Sequence, residues 1–372
     1  MSVLIVGAGK SGRGYLARLL TESGVSVVLA DSDKKLMRSF PGQYEVSFFS
    51  DREKTVIRPE YAGDMDDPVI QEYCKNAECI FVSVGMENLE DVGERIGGLI
   101  SDRCQVILCE NGNDACSAFL KKAGGEKRCK TVQAAVFCTT IEGEGYDIFS
   151  EDYSVLFCEK RGLSEKLKYD FMEYVDDFEV LMKRKLYTYN TLSAIISYAG
   201  ACYGYDEFTD AAKDEDIISM TEEYLRELQE PICLEYGFTP ADQEDFGRGA
   251  KRKFGDERIK DSIGRNARDP KRKLAEGERI MGPLRLIEKY GGNTLVLERI
   301  LAMCFCYRGD SEWTAFLERH SVEEILCDIC MIRPEEDLYA RLTDLTVKMG
   351  MTEEKTAFEK RGGEETYDRK TV

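Results

Sequence analysis

Residues 2–31 read SVLIVGAGKSGRGYLARLLTESGVSVVLAD, and the order of apolar run, glycine-rich turn, helical period and second apolar run decides the fold. The run SVLIVGAG has the β-branched, uninterrupted apolar character of a strand buried on both faces. A helix is predicted from about Gly12 to Ser23, followed by a second strand in VSVVLAD. Between the first strand and the helix, Gly7, Gly9 and Gly12 form G-x-G-x-x-G, a spacing that carries meaning only in this context. Gly7 permits the tight turn, Gly9 lets the backbone approach a pyrophosphate, and Gly12 lets the helix pack closely on the strand with its N-terminus facing the anion. The second strand ends at Asp31, where a carboxylate accepts hydrogen bonds from the hydroxyls of an adenosine ribose. A 2′-phosphate there meets a like charge, so the pattern points to NAD rather than NADP, although Lys34 and Lys35 follow closely. The glycine spacing alone is equally satisfied by a plain strand-to-helix turn with Asp31 as an ordinary turn residue.

Outward from this stretch, further strands are predicted in ECIFVSV, CQVILCEN, KTVQAAVF and YSVLFCEK, separated by polar or helical segments. That is the order of an α/β domain with a doubly wound, Rossmann-type sheet. From about Phe178 the pattern changes to long helical periods, including TLSAIISYAGACYGY and GNTLVLERILAMCFCY. The expected organisation is therefore a Rossmann domain over 1–177, a mostly α-helical substrate domain over 178–350 and a charged tail over 351–372. A chain of 372 residues exceeds what one core usually fills, and its 43% apolar and 33% charged residues describe a globular protein with ample core. No secretory leader is read at the N-terminus and no apolar run approaches a membrane span, so a cytoplasmic location is expected. The net charge of −19 disfavours nucleic acid and anionic lipid as partners. The fourteen cysteines lack the spacing of a disulfide scaffold. The grouping Cys304, Cys306, Cys327 and Cys330 lies in apolar helical patterns that favour core thiols over a zinc site, so no metal is expected.

The candidate chemistry lies in residues 183–194, KRKLYTYNTLSA. Oxidation of an alcohol by a nicotinamide needs a base for the hydroxyl proton and a donor for the oxygen that becomes a carbonyl. Lys185 suits the first task and Asn190 the second, provided that burial or neighbouring positive charge keeps the lysine neutral. On a regular helix five residues turn through about 140°, so the two side chains converge only if Lys185 sits at the helix entrance or reaches with its full length. The same residues also fit a solvated basic run followed by a water-facing asparagine. Farther on, residues 248–273 hold eleven Lys or Arg against four Asp or Glu, a local balance of +7. Such a segment either concentrates an anionic substrate or is a solvated helix face.

Three separated stretches, GAGKSGRG, KRKLYTYNTLSAIISYAG and GRNARDPKRKLAEGERIMGPL, occur in the order that resembles the polyol-specific long-chain dehydrogenases, most closely the mannitol-phosphate branch, over nearly all of residues 1–345. The resemblance implies an N-terminal Rossmann domain, a helical substrate domain, chemistry without zinc and a Lys-x4-Asn-x2-His motif. By position it implies that Lys185 is the general base, that Asn190 binds the reacting oxygen and that Asn111, beside Glu110, is a second stabiliser of that oxygen. It also implies substrate contacts by Arg265, Arg268 and Lys273. Two positions depart from the family: its histidine is Ser193 here, and where relatives often carry Asp-Arg this chain has Phe137 and Cys138. Ser193 retains the capacity to hydrogen-bond a substrate hydroxyl, but not to carry a proton near neutrality. The only histidine is His320. The expected activity is NAD-dependent hydride transfer from a sugar alcohol or its phosphate. The alternatives are a 6-phosphogluconate-type or hydroxy-acid dehydrogenase, or a non-catalytic NAD-binding sensor.

Overall fold

The computed structural model describes residues 2–112, 114–125, 129–162, 167 and 169–349; the charged tail expected over 351–372 lies outside them. The chain divides into two compact units, Met1–Met182 and a second that begins at Lys183.

The first unit holds twelve strands among the described residues: β1 (Val3–Val6), β2 (Val27–Asp31), β3 (Tyr44–Phe48), β4 (Thr55–Ile57), β5 (Tyr61–Asp64), β6 (Cys79–Val82), β7 (Gln105–Leu108), β8 (Lys130–Ala135), β9 (Thr140–Glu142), β10 (Ile148–Ser150), β11 (Leu156–Glu159) and β12 (Met172–Val175). Eight of them form one sheet in the order β12-β11-β8-β7-β6-β1-β2-β5. From β8 to β5 every pairing is parallel, with Val3 opposite Val27 and Leu4 opposite Ile80. β11 then runs antiparallel to β8. Every residue of β1, β6 and β7 is buried, as strands covered on both faces require. Chain order reverses on either side of β1, which has β2 as one neighbour and β6 as the other. This is the doubly wound arrangement, and its ligand crevice lies beyond the carboxyl ends of the strands at that switch point.

The remaining four strands form a second sheet, β4-β3-β10-β9, that the sequence reading did not anticipate. Its strands are three to five residues long, and TVI sits among charged neighbours, so a window long enough to show a period averages them away. This sheet packs on the helix that follows the glycine turn: a Cβ at Gly14 would strike Ile148 of β10, and Tyr44 of β3 donates from its hydroxyl to the Arg13 carbonyl at 3.0 Å. That helix opens as a π-helix over Gly12–Leu16 and continues as an α-helix over Ala17–Glu22.

The second unit is helical. Its core gathers Ile195, Tyr198, Leu228, Leu284, Leu301 and Trp313, and the Trp313 indole donates to the Cys304 carbonyl at 2.9 Å. Its longest helix, Glu215–Tyr236, is capped by the Asp214 carboxylate, which accepts from Asp216 N and Ile217 N, and closes at Gly237 in the left-handed region at φ 76°. All fourteen cysteines are free thiols, Cys304 and Cys330 being buried. Among the described residues no cluster of His, Cys, Asp and Glu has the size to hold a metal, and no helix is long and apolar enough to cross a membrane.

Candidate active site

Two constellations of functional side chains result, one in each unit. In the first, the turn after β1 is built as its glycines require. Gly7 has φ 100°, its N–H donates to Ala30 O at 2.8 Å, and a Cβ there would collide with the Ser83 carbonyl beyond β6. A Cβ on Gly12 would overlap the Gly7 carbonyl, so the helix approaches the strand as only glycine permits. Gly9 differs: a Cβ there would meet nothing within 4 Å, which leaves its backbone open to a ligand. Asp31, at the end of β2, accepts from Ala8 N at 2.7 Å through one carboxylate oxygen and from Asp33 N at 2.9 Å through the other. Asp31 thereby fixes the turn and sets a negative charge beside it.

Arg13, which the sequence reading passed over, is buried to 3% exposure and fastens the same turn. Its Nε donates to Ala8 O at 2.6 Å, one Nη donates to Tyr146 O at 2.7 Å, and the guanidinium lies over the Tyr146 ring. The unforeseen second sheet thus supplies the far anchor of the glycine turn. Beyond β7, Glu110 accepts from Val84 N at 2.7 Å and Gly85 N at 2.9 Å, pinning the loop after β6. Burial pushes its carboxyl above the usual range while those two N–H groups hold it down. Asn111 follows, exposed at the same edge of the sheet. Phe137 and Cys138 are buried: the ring meets Phe157 edge-on at 5.4 Å and the thiol lies 3.3 Å from Ser150 Oγ. Both side chains therefore belong to the core of the first unit.

In the second unit the basic run is not a solvated face. Arg184 is buried, with its guanidinium between the rings of Phe238 and Phe246, an ion pair to Asp242 at 2.9 Å and a hydrogen bond to Gln243 Oε1 at 2.9 Å. Gln243 in turn donates to Thr188 Oγ1 at 3.1 Å, bracing the segment between Lys185 and Asn190. Lys185 ends the helix Phe178–Lys185 and is buried. Burial above all, with the charges of Lys253 and Arg279 added, lowers its ammonium to about 7. That charge comes from Lys253 and Arg279, which are remote in sequence, rather than from the adjacent Lys183 and Arg184.

Residues Leu186–Asn190 form a π-helix, in which Thr191 N donates to Leu186 O five residues back. This answers the problem of the spacing. In an α-helix positions 185 and 190 splay by about 140°, whereas closure at i→i+5 returns position 190 toward the azimuth of 185. Asn190, half-buried, then opens the helix Thr191–Cys202 without its side chain capping any N–H of that helix. Ser193 is half-buried on that helix, and its carbonyl accepts from Ser197 Oγ at 2.6 Å.

The basic segment divides sharply. Arg265 is exposed and paired with Asp261 at 3.4 Å. Arg268 is exposed and enters no ion pair among the described residues. Lys273 is buried, donates to Asn266 O and lies 5.6 Å from the centre of the Tyr198 ring. Burial first, then Arg279, lowers it to about 7. Of the other cations of this stretch, Arg248, Lys251, Arg258 and Arg272 are spent on ion pairs with Asp245, Glu222, Asp256 and Asp269. His320 stacks on Phe316 at 4.1 Å and approaches Glu324 at 3.6 Å, so it serves a surface helix end.

Residues 175–319 match the family model described as the mannitol dehydrogenase C-terminal domain, a span that contains Lys185, Asn190, Ser193, Arg268, Lys273 and Arg279. A mannitol-1-phosphate 5-dehydrogenase from Clostridium acetobutylicum is 26% identical over 313 residues, covering 77% of this chain and 81% of that protein. Among solved structures, a substrate-free D-sorbitol dehydrogenase superposes with a TM-score of 0.72 at 13% identity, over 94% of this chain and 93% of the other. Mannitol 2-dehydrogenase from Pseudomonas fluorescens, in ternary complex with NAD and D-mannitol, superposes with a TM-score of 0.71 at 12% identity, over 97% and 94%. At such identities these two structures speak for the fold.

Proposed function

We propose, from the premise that the chain belongs to the polyol-specific dehydrogenase family, that it is an NAD-dependent oxidoreductase which interconverts a sugar alcohol, or its phosphate, and the corresponding carbonyl compound. The observation that carries this reading is Lys185: a buried lysine lowered to about 7, one π-turn before Asn190, inside the segment that matches the mannitol dehydrogenase C-terminal domain.

The first unit's turn fits a nicotinamide dinucleotide. Gly9 is open where a pyrophosphate would come close, Gly7 and Gly12 allow the backbone to pass, and Asp31 suits ribose hydroxyls while opposing a 2′-phosphate. When bound, NAD supplies the acceptor for the hydride that leaves the carbinol carbon. Lys185 Nζ takes the hydroxyl proton, since its ammonium, lowered to about 7, gives up its own proton near neutral pH, where an ordinary lysine stays charged. The Asn190 carboxamide, with Asn111 as the second donor, holds the oxygen as it becomes a carbonyl. Ser193 positions a substrate hydroxyl where relatives use histidine. Lys273 takes a remaining polar or anionic group, while Arg268, exposed, and Arg265, held by Asp261, stand at the margin.

The assignment of the base fixes a pH dependence. Lys185 works only when neutral, so kcat/KM for oxidation should rise with pH through a limb near 7, and carbonyl reduction, which needs the protonated lysine, should fall through the same limb. The check is steady-state NADH formation and consumption between roughly pH 5 and 11. An oxidation rate that climbs only above about pH 10, the range of an unperturbed lysine, removes Lys185 from the role.

A further inference from the structure

Arg279 has no part in the roles assigned so far, yet it sits at the middle of the second unit's charge cluster. Its carbonyl accepts from Thr191 Oγ1 at 2.6 Å, which ties residue 279 to the start of the helix that Asn190 opens. Its side chain is 17% exposed, against 43% for Arg265. Its charge acts on both Lys185 and Lys273. Three basic side chains, two of them buried and Arg279 largely so, therefore act on one another, and Glu278 lies 3.5 Å from Arg279 Nε while also approaching Arg272 at 3.8 Å. That contact is incomplete: Arg279 Nε and Glu278 Oε2 are both buried without a hydrogen-bond partner among the described residues. Like charges withdrawn from water are costly unless an anion joins them, and buried donors left unpaired add to that cost.

Resting on the dehydrogenase reading, we infer that Arg279 is the specificity-determining residue that receives an anionic group of the substrate, a phosphate monoester, with Lys273 as the second cation. A guanidinium offers a planar fork matched to two phosphate oxygens, and burial spares it the solvent screening that weakens an exposed arginine. Arg268 is exposed, and Arg265 is both exposed and already paired with Asp261, so neither has that advantage. A phosphate held there would also offset the positive charge around Lys273. The cluster therefore favours a phosphorylated polyol over the free one.

The test uses the full chain and four forms: wild type, Arg279→Gln, Arg279→Lys and Arg268→Ala. Calorimetric titration with inorganic phosphate, without turnover, should show binding that Arg279→Gln weakens roughly 10- to 100-fold and Arg268→Ala weakens much less. Arg279→Lys, which keeps the charge and loses the fork, should fall between; it also keeps the question decidable if the glutamine variant does not fold. In steady state the ratio of kcat/KM for a polyol phosphate to that for the free polyol should drop by a similar factor in Arg279→Gln. The acid limb of the free-polyol pH profile should move to higher pH, since a positive neighbour of Lys185 has gone. Unchanged phosphate affinity in both Arg279 variants, or a loss confined to Arg268→Ala, overturns the inference. Phosphate binding that depends on Arg279 in a protein that oxidises no polyol would instead uphold the site and sink the dehydrogenase reading.

Discussion

Lys185→Ala is expected to reduce kcat for polyol oxidation by roughly a hundred- to ten-thousand-fold, the usual loss when a positioned general base is removed, while leaving NAD affinity within about twofold. The separation follows from the chain itself. The glycine turn and Asp31 lie in the first unit, whereas Lys185 lies in the second, where Arg184, Gln243 and Thr188 brace its segment independently of the lysine amine. The substitution also removes a buried amine whose burial disfavours its charge, so the folded state should not suffer at neutral pH. Stopped-flow turnover and calorimetric titration with NAD check the two halves. A variant that keeps more than about a tenth of wild-type kcat would show that another group accepts the proton.

The second large effect concerns Gly9 and Gly12, three residues apart in the same motif but different in their surroundings. Gly12→Ala places a methyl on the Gly7 carbonyl, and neither backbone segment has room to yield, since Gly7 is itself held against Ser83. Forced overpacking of this kind costs about 3 kcal/mol at the upper end of the usual range. For a unit of this size the melting temperature should then fall by roughly 6–12 °C. Gly9→Ala meets open space. It should leave thermal unfolding almost untouched yet weaken NAD at least about tenfold, because the methyl occupies the approach of the pyrophosphate to the backbone N–H groups. Differential scanning calorimetry and titration separate the two. Equal effects of both substitutions on stability, with no selective loss of NAD from Gly9→Ala, would mean that the turn serves the fold alone.

The doubly wound sheet was legible because β1, β6 and β7 are buried on both faces and therefore write themselves as unbroken apolar runs. β5, whose sequence is YAGD, and the short strands of the second sheet have no such run; pairing, not propensity, makes them strands. With them went Arg13, whose buried anchorage depends on Tyr146 in that sheet's connecting turn. Lys185 and Asn190 stand out in the sequence as candidates, but their spacing fits an α-helix poorly, and the π-helix over Leu186–Asn190, which no sequence pattern announces, changes that geometry. Arg279 stood in plain view in GRNARDPKRKLAEGERIMGPL. Nothing in a linear string distinguishes it from Arg265 or Arg268, because the difference is burial, which tertiary packing alone confers. For the same reason Arg184 looked like part of a solvated run, although two aromatic rings from 238 and 246 enclose it.

The proposed oxidation of a sugar alcohol or its phosphate with NAD is tested by NADH formation with the intact protein over a panel of free polyols and polyol phosphates, run in parallel with NAD and NADP. Absorbance should grow with at least one polyol phosphate, at least about tenfold faster with NAD than with NADP because Asp31 opposes the 2′-phosphate. No NADH from any member of the panel, in a protein that still binds NAD by calorimetry, would contradict it and leave a non-catalytic NAD-binding protein in its place.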